Sequence, residues 1–470
     1  MAYGAGVADS YLLPSQPIRT FTDLCAWRGC DSVERSKGIA PSGLRDLFDS
    51  AGLRSRDQVA QRLGNSWSAF AASPEETGTR YLLVDATDSE PGSFVDRTLL
   101  ARNPLAILEG TAIAARSLGV AESFIVVDRE ATSEYELITD ALAAAEMAGW
   151  CEDVSIKCIR VDQSYLLRDP RALLEAAEGR EALPRLYPAL LDGLFSVPDR
   201  QPHELNSLPL VANPTLVETA ETMANLGAIV ANGASWFRSR GTPISPGSIL
   251  CTISGDVTVA TVAEVELGEK LSTVIERHSH GTIGGQPKAV LSGASSQVLT
   301  RSRLNAPLSW EGLAAVGANL GRAAFLVFGE STNMVTVARD VAAFLYVESC
   351  ALCPACKFGG GEVTAYLSKL TSPDGTREDA ERLLTRLTSV ADNRRCDLAA
   401  QLQEVITSIL RAFPGDLASA PAISPPTEWP LLFGRLATLD NGLASIDQKQ
   451  RYKSPDGSYH SEPVQLTRWR

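Results

Sequence analysis

No run in this chain approaches the roughly eighteen consecutive apolar residues that a bilayer span requires. The first twenty residues also lack a basic segment followed by an apolar one. Basic charge is in deficit as well: 43 Lys and Arg stand against 56 Asp and Glu, a net charge of -13. Such a surface repels nucleic acid and anionic lipid on average, so neither is expected as a partner. Cysteine is thin, nine in 470 residues, too few for a disulfide scaffold. These absences predict a soluble, cytoplasmic protein in a reducing compartment. No internal repeat is visible. What remains is ordinary globular composition, 44% hydrophobic and 21% charged, in a chain too long for one core, so roughly two to four domains are expected.

Residues 81–161 alternate strand and helix patterns. Tyr81-Leu82-Leu83-Val84 and Phe124-Ile125-Val126-Val127 are short apolar runs with a helical pattern over 104–118 between them, a βαβ signature. Ser133 and Glu136 have capping-box spacing, which starts a helix there, and a strand follows over 154–161. After a Pro-rich passage over 198–214, a connector helix is expected over 218–232, ending at Gly233. Residues 247–328 turn to short β-rich runs broken by Ser254-Gly255-Asp256 and Gly268, the pattern of a small α+β domain. Four amphipathic segments, 334–347, 363–370, 378–390 and 398–413, then have bundle-like spacing. The tail from 414 on is rich in Pro, Ser and Asp and reads as an extended strap.

The strongest local signal is Cys350-Ala351-Leu352-Cys353-Pro354-Ala355-Cys356. Two residues between thiolates let one tight loop reach three corners of a cubane, with one distant cysteine for the fourth. Cys396, at the start of the last helix pattern, suits that corner, because N-terminal N–H groups and the helix dipole favour thiolate charge. Lys357 adds compensating positive charge beside it. Tetrahedral zinc is the alternative, though it usually takes two separated Cys-x-x-Cys pairs. Cys158 and Cys251 fall in expected strands as core thiols, Cys151 borders a turn, and Cys25 and Cys30 sit in an N-terminal surface segment without a clear role. Glu330 and Glu348 read as surface carboxylates.

Four motifs in order, Tyr81 to Arg97 (including Ser89-Glu90-Pro91-Gly92), Ala231 to Phe237, Ser254 to Asp256, and Glu348-Ser349-Cys350, make the chain resemble the NADH-binding flavoprotein subunit of respiratory complex I and its relatives in NAD-reducing hydrogenases and formate dehydrogenases. The likeness runs from about residue 51 to about 414. It implies an N-terminal segment (1–44), a Rossmann-like flavin-type domain (45–243), a ubiquitin-like β-grasp domain (244–330), a helical 4Fe-4S domain (331–415) and a tail (416–470). It also implies FMN and NAD(H) sites, with Ser89, Glu90 and Tyr165 at residual flavin or nucleotide positions, a cluster on Cys350, Cys353, Cys356 and Cys396, and partner subunits of an oxidoreductase complex.

The same resemblance marks what has changed. The family's glycine-rich phosphate loop, ending in Lys-Trp, is here Ser55 to Trp67: Asp57 puts negative charge where phosphate would lie, Gln58 and Val59 add side chains, and Ser66 replaces the lysine. The family's Gly-Glu-Glu is Arg168-Asp169-Pro170, and its Asn-Asn pair is Glu218-Thr219. Asp85, Thr87 and Asp88 replace Asn, Asp and Glu. The expectation is an iron-sulfur electron-transfer subunit that has lost FMN; an active FMN-dependent NADH dehydrogenase subunit and a scaffold with a structural cluster are the alternatives.

Overall fold

The computed structural model describes residues 10–73, 78–392, 394–419, 431–455 and 457–464. Its first sheet has strands β1 (Tyr81–Ala86), β2 (Glu122–Asp128), β3 (Ser155–Val161) and β4 (Thr215–Thr219) in the order β3-β2-β1-β4, all parallel. Every residue of β1 is buried, as expected where helices cover both faces of a parallel sheet. The helices Pro104–Leu118 and Ala220–Asn232 pack on one face. They come so close that a Cβ on Gly110 would stand 1.8 Å from the Met223 carbonyl oxygen, which is why that position is glycine.

Three expectations need correction here. Residues 218–219 are strand rather than helix: they end β4, whose β-branched Thr215, Val217 and Thr219 complete the sheet beside β1, and the helix starts only at Ala220. That helix is no connector but part of the core, buried over most of its length. The helix after β2 is Thr132–Met147 and lacks the expected capping box, since the Ser133 hydroxyl turns to the adjacent Glu134.

A second sheet holds β5 (Ser248–Gly255), β6 (Thr261–Glu266), β7 (Ala289–Ser292), β8 (Leu299–Thr300) and β9 (Ala324–Phe328) in the order β6-β5-β9-β7-β8, with helix Leu271–Ser279 against it. Helices Met334–Val347, Gly361–Leu370, Arg377–Leu387 and Leu398–Ala412 share a third core, into which Tyr165 and Phe433 reach from distant sequence. None of the described helices is long and apolar enough to cross a membrane.

The ends of the chain are more integrated than their composition suggests. Tyr11, Leu12 and the helices from Phe21 to Ala51 join the first core, and Cys25 and Cys30 form a disulfide, a pairing that their spacing did not reveal. The tail forms a hairpin of β10 (Leu436–Asp440) and β11 (Leu443–Ile446). It ties all three bodies together: the Gly434 carbonyl accepts from Gly92 N–H at 3.0 Å, Gly442 from Ala260 at 2.7 Å, and Leu432 N–H donates to Asp340 at 2.9 Å.

Candidate functional site

In an open parallel sheet, ligands lie where neighbouring strands send their connections in opposite directions, at the carboxyl ends. Here that place is the crevice between β1 and β4. From β1 come Asp85, Thr87, Asp88, Ser89 and Glu90, all buried; from β4 comes Glu218. The segment from Arg54 to Arg62, bridged at its two ends, forms the loop beside it.

The loop has turned its anion-binding capacity on itself. The Asp57 carboxylate accepts N–H bonds from Val59 at 3.0 Å and Ala60 at 2.6 Å, and Ala60 has a φ of 52°. An internal carboxylate thus holds N–H groups of the kind that would otherwise cradle a phosphate. Gln58 crosses the crevice: its amide donates to Glu90 at 2.6 Å and its carbonyl accepts from Arg168. The Arg168 guanidinium lies 4.6 Å from the Tyr165 ring centre and donates to Asp397 at 2.6 Å, the residue beside Cys396. The Tyr165 hydroxyl donates to Gln401 at 2.7 Å, which donates back to Asp397 at 2.8 Å. A continuous polar chain therefore runs from the loop to the edge of the cysteine site.

The carboxylates of this crevice are strongly perturbed. Glu218 is pushed up to about 8, first by burial and then by the nearby charge of Asp57; it accepts from the Ser55 hydroxyl at 2.8 Å and Trp67 Nε1 at 3.1 Å. Glu221 is pushed up to about 7 by burial, against the pull of Arg56 at 3.5 Å. Glu90 is raised by burial although Arg168 opposes it. Raised carboxyl groups stay protonated in the folded state while they ionise in the unfolded chain. Their stabilisation is fully present below about 4.3 and is lost as pH rises through about 7 to 8. Glu218→Gln keeps the neutral hydrogen-bonding shape and removes this dependence. It is expected to raise the melting temperature at pH 8.5 by a few degrees and to leave it nearly unchanged at pH 5, measured by thermal melts across that range.

Three cysteines of the sequence motif, Cys350, Cys356 and Cys396, pack against the third core at the other end of the polar chain, and Cys353 lies in the same loop as the first two. All are free thiols. The charge on each of Cys396, Cys350 and Cys353 raises Cys356 further, after burial, and Cys350 raises Cys396 likewise. Local backbone supports them as expected: the Leu398 N–H, in the first turn of Leu398–Ala412, bonds the Cys396 sulfur, and the Leu352 N–H bonds that of Cys350. After Pro354 the chain enters a π-turn, Ala355–Gly360, in which Cys356 is buried. Among the described residues no three His, Cys, Asp or Glu side chains are grouped so as to hold a single metal ion. A mononuclear zinc site would draw its sulfurs to within about 2.3 Å of one point. Four soft thiolates are the donor set that an iron-sulfur cubane takes. A cleft of about 600 Å³ opens beside Cys350 and Ala351, lined among others by Arg160, Ser164, Lys453 and Tyr459.

Glu348 departs from the expectation of a surface carboxylate. Its side chain is fully buried, accepting from Tyr165 N–H at 3.0 Å and Lys453 Nζ at 2.8 Å, with Arg435 at 3.7 Å. Burial alone would push it up, but the two cations outweigh that and hold it down at about 2. Both cations lie in the tail, so no local pattern could reveal them. Glu330 does stay exposed, paired with Arg301.

Residues 62–227 match the family described as Nuo51 FMN-binding domain, and residues 336–420 the NADH-ubiquinone oxidoreductase-F iron-sulfur binding region. The chain belongs to the NADH dehydrogenase flavoprotein subunit family. Curated members include the second F subunit of the NADH-quinone oxidoreductases of Rhizobium meliloti (strain 1021), 29% identical over 371 residues that cover 76% of this chain and 84% of that one. Another is the NADH-quinone oxidoreductase F subunit of Mycobacterium bovis, 28% identical over 412 residues, covering 85% and 89%. Among solved structures, an NAD+-reducing [NiFe]-hydrogenase in the H2-reduced state superposes with a TM-score of 0.70 at 26% identity, over 84% of this chain. This chain spans 64% of that hydrogenase chain's length. The family is one of oxidoreductase subunits with an FMN-binding domain and a 4Fe-4S region, and this chain carries both regions. Arg168, Gln58, Asp57 and Glu218 stand in the crevice of the first.

Proposed function

We propose that this protein is an iron-sulfur electron-transfer subunit of a cytoplasmic oxidoreductase complex, that Cys350, Cys353, Cys356 and Cys396 hold its 4Fe-4S cluster, and that it works without FMN. A bound cluster supplies one-electron chemistry. The chain's own residues supply four thiolates, the Leu352 and Leu398 N–H groups directed at two of them, and the positive charge of Lys357. The second sheet is read as a ubiquitin-like β-grasp domain and the four helices as the cluster bundle, with boundaries near residues 243, 330 and 415.

The observation that carries the loss of flavin is the Gln58–Arg168–Asp397 bridge. It spans the crevice with side chains where the family's glycines leave bare backbone, while Asp57 occupies loop N–H groups. The residues present do not fit a flavin phosphate: the Asp57 carboxylate in the loop repels it, and displacing Arg168 would take from buried Glu90 its nearby cation and from exposed Asp397 its ion pair. Ser89, Glu90 and Tyr165 then persist as structural members of the crevice. On this reading dithionite bleaches the visible spectrum of the anaerobic protein and NADH leaves it unchanged. Bleaching by NADH within seconds would favour the second reading, an active FMN-dependent NADH dehydrogenase subunit, which the match to the FMN-binding domain supports.

A further inference from the structure

Cys25 and Cys30 are joined by a disulfide, while Cys151, Cys158, Cys251 and the four motif cysteines are free thiols. The bond spans a sequence separation of 5 and closes the turn between helix Phe21–Arg28 and helix Ser32–Lys37. So short a ring restrains the unfolded chain less than a long loop would, which makes it a weak staple. Each helix also has its own anchor in the first core, Leu24 on one and Val33 on the other, both buried. What the bond fixes is therefore the turn between them. Cys25 is exposed and Cys30 half-buried against the core, and exposed disulfides are the ones most open to exchange.

That turn carries Arg28. Its guanidinium lies 5.5 Å from the Trp27 ring centre and donates to Glu109, whose side chain is fully buried. Glu109 belongs to the helix Pro104–Leu118, and a Cβ on Gly227 of the helix Ala220–Asn232 would collide with its carboxylate. The carboxylate thus fills a notch between the two helices that cover the first sheet. Burial raises Glu109 and Arg28 opposes it, so the ion pair is what makes a charge tolerable there. The helix after the turn is seated independently, since Arg35 donates to the Ala231 carbonyl at 3.0 Å. A covalent link at the surface therefore controls the approach of one cation to one buried anion.

We propose that Cys25–Cys30 is a reversible thiol–disulfide exchange site, and that its redox state governs whether Arg28 stays on Glu109. The proposal goes beyond the electron-transfer reading and does not depend on it. A dithiol reductant, small or protein-borne, supplies the electrons. Its first thiolate attacks the Cys25 sulfur, the Cys25–Cys30 bond breaks, and Cys30 leaves as a thiolate; its second thiolate then displaces Cys25 from the mixed disulfide. The two cysteines end as thiols, having gained two electrons and two protons, and the reductant ends as a disulfide. A disulfide-bearing oxidant runs the same steps in reverse. With the bond open, the turn 26–29 is no longer closed on itself and Arg28 exchanges its buried acceptor for water, a local change with a readout at a distance of the kind that thiol switches use. In the cytoplasm proposed above, disulfides are rare and mostly transient or redox-sensing, which agrees with an exchange site rather than a staple.

The test equilibrates the anaerobically purified full chain in mixtures of reduced and oxidised dithiothreitol, then alkylates it and follows Cys25 and Cys30 by peptide mass. The pair is expected to open and re-form in the folded protein with a single two-electron midpoint. Trypsin reads the turn: cleavage after Arg28 under native conditions is expected to be at least about tenfold faster in the reduced protein. The melting temperature is expected to fall by a few degrees on reduction. Arg28→Gln separates a latch from a staple, because it should keep the thiol exchange yet show at most about half of the wild-type fall, its Glu109 contact being already gone. The double variant Cys25→Ser, Cys30→Ser should be cut after Arg28 at the reduced rate in every mixture, and its melting temperature should not respond to them. A pair that opens only when the protein unfolds, or that does not re-form, overturns the proposal. So does an opening that leaves cleavage after Arg28 unchanged, or a fall in Arg28→Gln as large as in wild type.

Discussion

Cys353→Ser is expected to abolish the broad visible absorbance of the protein and to lower iron from about four atoms per chain to a small residue. Three cysteines cannot complete the corners of a cubane, and serine is a hard, poorly ionised replacement for a soft thiolate. Stability should fall with it, because the cluster would tie the loop 350–356 to the start of the last bundle helix and so close a long loop through Cys396. The expected sign is a loss of several degrees in the melting temperature of the as-purified protein, with wild type and variant converging after the iron is chelated. Absorbance and iron measured on the same anaerobic preparation decide it, and an unchanged spectrum would remove Cys353 from the ligand set.

Glu348→Ala is expected to be the most damaging substitution outside the cysteines. It strands Lys453 and Arg435 around a vacated anion position and leaves the Tyr165 N–H without its acceptor. Breaking a buried pair in this way costs about 3–5 kcal/mol, which for a chain of this size lowers the first unfolding transition by on the order of 5 °C. Because both cations come from the tail, the same variant should expose residues 431–464 to limited proteolysis before the rest of the chain opens. A variant as resistant as wild type would show that the tail is held by its other contacts.

Sequence alone carried much of this molecule because its signals were local. The runs at 81–84 and 124–127 became adjacent parallel strands, and the expected helix over 334–347 has those bounds in the structure. The cysteine spacing likewise picked out residues 350–356, which lie inside the iron-sulfur binding region matched over 336–420. The errors came where long-range packing overrode local pattern. Residues 218–219 look helical when read with the helix that follows, yet they lie beside β1 because its free edge needs a partner. Glu348 reads as one more surface carboxylate until the tail delivers Lys453 and Arg435 to it from about a hundred residues away.

The crevice was half legible. Asp57, Gln58 and Arg168 stand out in the sequence where the family has glycines, and of these Gln58 and Arg168 bond one another in the crevice. That they join one another, with Asp397 and Gln401 completing the chain, depends on contacts between bodies that no spacing encodes. Asp397 had one available signal, its place beside Cys396 at the head of a helix.

The central claim, a cluster without flavin, is tested most directly by a cofactor inventory on protein purified anaerobically: iron and acid-labile sulfide by assay, zinc by elemental analysis, and flavin by acid extraction and fluorescence. The account predicts about four iron and four sulfide per chain, with negligible zinc and no flavin. Stoichiometric FMN would contradict it, show that Gln58 and Arg168 yield to the cofactor, and return the protein to NADH oxidation.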